Sequence, residues 1–482
     1  GEDTLSLHDA LPICAPRITL YFSLVYLVLA SCHFIDQGMI MNHQGSWAMD
    51  EFGGAQVGDA RLGRRLIKLA DRLGDAPSAS IPEACAGRTE TQAAYRFFDQ
   101  ARADKRGLGW ESVLAPHMAR TEARMAAHPV VLCLQDTTEL DFNGQDIDGL
   151  GRLSYEAQRG MYVHPTYAVT PQRLPLGILD NWMWARPLGT LESRRWVEGY
   201  ERVAERAQKL PGTRLVYVAD READMLELMQ RAHALAHPAD YVLRAQHNRC
   251  LPQGGKLWPA TLATPSLGEI EFTLGPRTRQ PARTVRQTLH AHAVALPDGQ
   301  GGTLQVSCLI ARETGMQAGP KPVEWRLLTN RVISTVEQAA ELIDWYRCRW
   351  EIETLFHVLK NGCRVEALQL GEIKKLELAL AIYLVVAWRL THLQHLARTH
   401  PELPASEVFD PVEWQAAWLL AEKDPPKKTP SVREVIRRIA MLGGFLARKG
   451  DGEPGVKTLW QGFARVTSFV RGVEKMRTIH AL

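Results

Sequence analysis

The chain has 482 residues, 45% of them hydrophobic and 23% charged, the balance of a folded globular protein rather than a disordered or fibrous one. A formal net charge of +3 neither requires nor excludes a polyanionic partner, because local clustering matters more than the sum. Eight cysteines, at 14, 32, 85, 133, 250, 308, 348 and 363, include no CxxC pair, which argues against a zinc site or a disulfide framework and fits a reducing cytoplasm.

Residues 18–35 are almost wholly apolar and follow Arg17, so by composition they suit a signal sequence or a short membrane span. Met41 opens a stretch, MNHQGSWAMDEF, that reads as an ordinary cytosolic N-terminus. Residues 1–40 are therefore expected to be a leader foreign to the folded protein. Residues 47–125 are helical in pattern. Within them, 61–73 put Leu62, Leu66, Leu69 and Leu73 on one stripe and Arg61, Arg64, Arg65, Lys68 and Arg72 largely elsewhere. Such a helix is either a solvated surface or a phosphate contact.

An α/β stretch comes next. Residues 130–134, 161–170, 174–179 and 214–219 read as strands, 192–209 as a helix, and a further helix starts near 222. From 241 to about 330 the chain is rich in Gly, Pro, Thr and Val and reads as β-rich. One long helix is predicted over 335–360. The last third is helical, broken at 401–411 and 423–430.

Asp136 and Asp220 each come directly after a buried strand, at the end of α/β sheets where ligands and reactive groups collect. Either acid equally suits a cap for the next helix. On a regular helix over 341–360, Tyr346, Arg349, Glu353 and Lys360 fall near roughly 0°, 300°, 340° and 320°, a single stripe, given about 100° per residue. An acid set among a phenol, a guanidinium and an ammonium suits phosphate chemistry: the acid holds a metal and the cations grip oxygens. A surface salt-bridge ladder fits the same spacing.

Tyr346-x2-Arg349-x3-Glu353-x6-Lys360 is the YREK pattern, and the chain resembles the insertion-sequence-four family of bacterial DDE transposases, of the transposon-five type, on these residues. QDTTEL (135–140), ADREADM (219–225), AYRFF (94–98), GDARLGRRL (58–66), IAMLGGF (439–445) and LWQGF (459–463) match as well. The resemblance implies an α/β, RNase H-like catalytic core over 126–395 with a β-rich insertion at about 245–333. Helical domains flank it: a DNA-binding domain at 41–125 and a dimerisation domain at 396–482. It implies catalytic, metal-holding Asp136, Asp220 and Glu353 with two Mg²⁺ ions, for which Mn²⁺ substitutes, and DNA contacts from Tyr346, Arg349, Lys360, Trp325, Arg244, Arg65 and Arg96. Trp325 takes the family position that stacks on a flipped base, and Met316 that of a wedge beside it. Its partners would be double-stranded DNA, as terminal inverted repeats and target, and a second copy of the chain in a synaptic homodimer, working in the bacterial cytoplasm at the nucleoid. Segment 80–91 departs from the family pattern, so the recognised end sequence does not carry over. Two alternatives stay open: an inactive transposase-derived DNA-binding protein or inhibitor, and a membrane-anchored nuclease built on residues 18–35.

Overall fold

The computed structural model describes residues 46–102, 108–155, 157–185, 194–274, 282–314 and 322–480. The apolar run at 18–35, the start at Met41 and the wedge position Met316 lie outside them. The helices are α1 (Trp47–Phe52), α2 (Ala60–Asp75), α3 (Ile81–Ala84), α4 (Arg88–Phe98), α5 (Trp110–Met125), α6 (Arg194–Lys209), α7 (Leu226–Ala234), α8 (Leu257–Leu262), α9 (Val336–Arg347), α10 (Trp350–His357), α11 (Ile373–Thr399), α12 (Pro411–Leu419), α13 (Val432–Leu442) and α14 (Val456–His480). The strands are β1 (Val130–Gln135), β2 (Thr138–Asp141), β3 (Gly151–Arg152), β4 (Arg159–Val169), β5 (Pro175–Trp184), β6 (Arg214–Ala219), β7 (Asp240–Arg244), β8 (Gly268–Leu274), β9 (Arg283–Pro297), β10 (Thr303–Glu313) and β11 (Glu324–Thr329).

The chain divides into two compact units. The first takes its described residues from His128–Asp136 and Leu191–Glu353, the second from Ile35–Ala127, Thr137–Thr190 and Thr354–Leu482. The first is built on a sheet in which β1, β6 and β7 run parallel, and β11, β10, β9 and β8 continue it antiparallel. Sequence pattern matches this division. VVLCLQ in β1 and RLVYVA in β6 are buried almost throughout, as parallel strands covered on both faces must be. The long strand β9 instead alternates between buried and more open positions, the mark of a sheet with one face toward water. The short helix α8 interrupts the β-rich stretch, which Gly- and Pro-rich composition does not signal.

In the second unit, β4 pairs with β2, β3 and β5 in an antiparallel meander. The 27-residue α11 is the spine of this unit, packed against α2, α5, β5, α13 and α14. Among the described residues it is the one helix long and apolar enough to cross a membrane, and 94% of its most apolar window is buried inside the protein. That apolarity is spent on the core. Helix α2 starts on an Asp59 cap whose carboxylate accepts from Arg61 and Leu62 N–H, and it buries Leu66, Leu69 and Leu73 while Arg61 and Arg64 stay exposed.

Candidate active site

The parallel strands place the first two acids. In the β1–β6 register Gln135 lies opposite Ala219, so Asp136 and Asp220 are the next residues on neighbouring strands, about 4.8 Å apart in strand spacing. In the β6–β7 register Ala219 lies opposite Leu243, which brings Arg244 to the same level on the third strand. The end of β1 is fixed from below. Gln135 is fully buried, its side-chain oxygen accepts from the Tyr217 hydroxyl, and a Cβ on Gly199 of α6 would stand 2.2 Å from its amide. Only glycine lets the helix approach that closely.

The third acid comes from a helix that is not continuous. Arg349 N–H bonds to Tyr346 O (3.0 Å) and Ile352 N–H to Arg349 O (3.1 Å), three-residue steps that tighten the chain between α9 and α10. After His357 the chain widens into a π turn at Val358–Gly362, with Cys363 N–H bonded to Val358 O at 2.8 Å. A single 335–360 helix with a uniform 100° stripe is therefore corrected. Local tightening and widening reset the angles, so one regular wheel does not describe Tyr346, Arg349, Glu353 and Lys360.

What the break achieves is a bridge. Arg349 donates one nitrogen to Asp136 Oδ2 (2.6 Å) and another to Glu353 Oε1 (2.5 Å). A surface ladder would pair Arg349 with Glu353 alone; here the guanidinium is buried and ties a strand end to a helix. Burial opposes the charge on Arg349, but the Asp136 carboxylate, Tyr346, Glu353 and Asp220 outweigh it and hold its pKa above the usual arginine value. Burial pushes the Glu353 carboxyl upward, Arg349 pulls it back, and Asp220 adds to the rise. Asp220 also keeps the capping role: its Oδ1 accepts from Glu222 N–H at 2.9 Å. Tyr346 is buried; burial raises its pKa, with the Arg349 and Arg244 guanidinium groups opposing.

The remaining sequence-predicted residues lie on other elements. Trp325, on β11, stacks on Phe272 with centroids 5.4 Å apart and planes at 20°. It is half-buried, whereas Leu327 and Leu328 beside it are fully buried. Lys360 lies in the second unit, where burial lowers its pKa and Glu366, Glu139 and Asp141 offset that. Arg65 on α2 lines a small cavity with Lys68, Arg72, Cys85 and Glu90, and Arg96 on α4 is exposed. Sequence reasoning missed Asp224, within ADREADM. Its buried carboxylate accepts from Gln246 N–H (2.6 Å) and His247 N–H (2.8 Å) and pairs with Arg249 (2.6 Å), clasping the segment after β7 to the turn after β6. A second acid four residues after Asp220 was the available signal.

Three carboxylates are hard oxygen donors of the kind a divalent metal takes, and two of them, Asp136 and Glu353, already meet on one cation, the Arg349 guanidinium. By donor type the residues fit such a metal. Arg349 stands between two of them, and among the described residues no three His, Cys, Asp or Glu side chains are close enough as placed to share one ion.

Acids at adjacent parallel strand ends, one of them joined through an arginine to an acid on a later helix, suit a protein of the DDE class. Three family models match in order along the chain: Transposase DNA-binding at 44–103, Transposase DDE domain at 197–388 and Transposase Tn5 dimerisation domain at 385–481. The chain belongs to the Tn5-type DDE transposases, whose DDE domain has an RNase H-like α/β fold. Among solved structures it is similar to the piggyBac transposase, seen by cryo-EM in a synaptic complex with hairpin DNA, at 8% identity with a TM-score of 0.34. That similarity takes in 75% of this chain, which spans 57% of the other.

Proposed function

We propose that this chain cuts a DNA element from its flanks and joins it to a target, with Asp136, Asp220 and Glu353 as the catalytic and metal-holding acids. The observation that carries the reading is the bridge: Asp136 and Glu353, 217 positions apart by their numbering, are held to one guanidinium, with Asp220 on the neighbouring strand. Two Mg²⁺ ions held by these acids would supply an activated attacking oxygen and stabilise the leaving one. The chain's own residues then position the DNA. Arg349, Arg244 and Lys360 grip non-bridging phosphate oxygens, with Tyr346 beside them.

By the family resemblance the reaction has four parts. Water hydrolyses one strand at the element's end, and the 3′-OH so freed attacks the opposite strand to close a hairpin. A second water opens the hairpin, and the 3′-OH then attacks the target strand. Closing a hairpin forces a base out of the stack, and Trp325 is the indole proposed to receive it. Arg65 and Arg96 contact the terminal repeats from the segment matched by the DNA-binding model, and 385–481 joins two copies in the synaptic complex. The protein works in the bacterial cytoplasm, at the nucleoid.

The test is incubation with the element's terminal repeats and Mg²⁺ or Mn²⁺, with products resolved on denaturing gels. Hairpin-ended fragments from the native chain, absent with Glu353→Ala, support the reading. End binding without any strand cleavage would make the chain an inactive, end-occupying relative.

A further inference from the structure

The bridge at Arg349 has the wrong stoichiometry for a purely structural ion pair. One guanidinium takes an oxygen from each of two acids, Asp136 and Glu353, that the proposed function needs as metal ligands, and Asp220 follows the neighbouring parallel strand. Crowded carboxylates repel unless a cation sits among them, and here that cation is a side chain of the protein. Arginine suits the place because its planar fork reaches two carboxylates at once and keeps its charge at any working pH.

Arg349 is also built to leave. It sits at the tightened break between α9 and α10 rather than inside a regular helix, and its guanidinium lies over the Trp350 ring, with its carbon 5.3 Å from the centroid. A cation over an indole keeps part of its stabilisation when it gives up a carboxylate.

We infer that Arg349 is an exchangeable counterion for the acid cluster: it competes with divalent metal for Asp136 and Glu353, and metal uptake releases its guanidinium to a DNA phosphate. The inference rests on the metal-holding role proposed above for the acids. It makes Arg349 a positioning residue that couples metal loading to DNA engagement. Metal and phosphate then favour each other, because each removes what the other must displace, and such coupling is reciprocal.

The test is direct metal binding to the full-length, DNA-free protein, using Mn²⁺ alone followed by electron paramagnetic resonance, on native chain, Arg349→Gln, Arg349→Lys and Glu353→Gln. Removing the competitor should tighten Mn²⁺ binding by about tenfold or more, the worth of one hydrogen bond between charged groups. Arg349→Lys, which keeps the charge but cannot span both acids, should fall between. Circular dichroism confirms folding; if Arg349→Gln does not fold, the native-to-Lys difference decides. Equal affinities in the native chain and both Arg349 variants, all lost with Glu353→Gln, would overturn the inference while leaving the metal role intact. Mn²⁺ affinity indifferent to Glu353→Gln would remove the metal role and the inference with it.

Discussion

Two buried acid–arginine clusters, one in each unit, show opposite designs. In the second unit Glu51 on α1, 1% exposed, accepts from the Arg124 guanidinium at 2.8 Å and from His117 Nδ1 at 2.5 Å, and His117 Nε2 accepts from Ile178 N–H at 3.0 Å. Burial holds the His117 pKa down, and with Nε2 accepting from Ile178 N–H its hydrogen bonds put the proton on Nδ1, facing Glu51. One negative charge meets one positive charge and the polar atoms are matched. In the first unit one arginine is shared by two acids, Asp136 at a strand end and Glu353 on a helix, both only part-buried. A balanced cluster closes a core; an under-neutralised one leaves a demand for further cations. Both begin with a carboxylate bonded to arginine, and only the count of charges separates structure from chemistry.

The largest expected effect breaks the comparison at its functional end. Asp136→Ala, Asp220→Ala and Glu353→Ala should each take strand nicking to background while binding of a long duplex, which depends on phosphate contacts elsewhere, persists. Gel-shift and cleavage assays on the same preparations check this, and clear cleavage by any one variant removes that residue from the site.

The structural end should respond in stability instead. Glu51→Gln leaves the part-buried Arg124 with its charge unmatched, a loss of about 3 kcal/mol, the low end for a buried pair, in urea unfolding at pH 7. Burial tends to raise the Glu51 pKa, but Arg124 and His117 lower it to about 2 from 4.5. A lowered carboxylate pKa stabilises the fold above the unfolded value, so the penalty should be full at pH 7 and fade as pH falls from 4.5 toward 2. A penalty that does not depend on pH would mean that packing, not charge, holds this cluster.

Trp325→Ala sharpens the functional side by dividing its steps. Nicking needs no extruded base and should be nearly normal, while hairpin closure should fall roughly 5- to 150-fold, the worth of about 1–3 kcal/mol of stacking. An abasic site at the flipped position should partly restore it. Phe272 already covers part of the ring, so parallel loss of both steps would make Trp325 a packing residue of the sheet.

The smallest effect concerns an acid with neither design. Asp71 on α2 accepts from the Ser46 hydroxyl at 2.8 Å, and burial, reinforced by Asp75, lifts its pKa from 3.8 to about 6. A raised carboxylate pKa costs stability above about 6 and nothing below 3.8. Asp71→Asn should therefore stabilise the protein by of order 1–3 kcal/mol at pH 8 and change little at pH 3, as thermal melts at the two pH values would show.

Much of the site can be read from the chain because short apolar runs declare buried parallel strands, and the residue just after each run is its end. Asp136 and Asp220 were legible for that reason. Arg349 and Glu353 were legible as an i,i+4 pair, but the bond from Arg349 to Asp136 joins residues 213 apart and has no local trace. The wheel over 341–360 assumes one pitch, and the bonds that tighten the chain at Arg349 and widen it at Val358–Gly362 have no signal in the residue spacing. The Asp224 clasp was hidden likewise: a Gln246 N–H far along the chain is what turns that acid from a surface residue into a brace.

The sequence by itself determined the class of this protein: the order of its acids, the YREK spacing and the apolar pattern that builds a parallel core are all local properties of the chain. Tertiary structure alone decided how charges are shared. Whether an acid is matched, crowded or isolated depends on which distant side chain meets it in a medium of low dielectric, where one arginine more or less changes the outcome. It also decided that the chain folds as two units interleaved along the sequence, since segments far apart in the chain bury their apolar faces together.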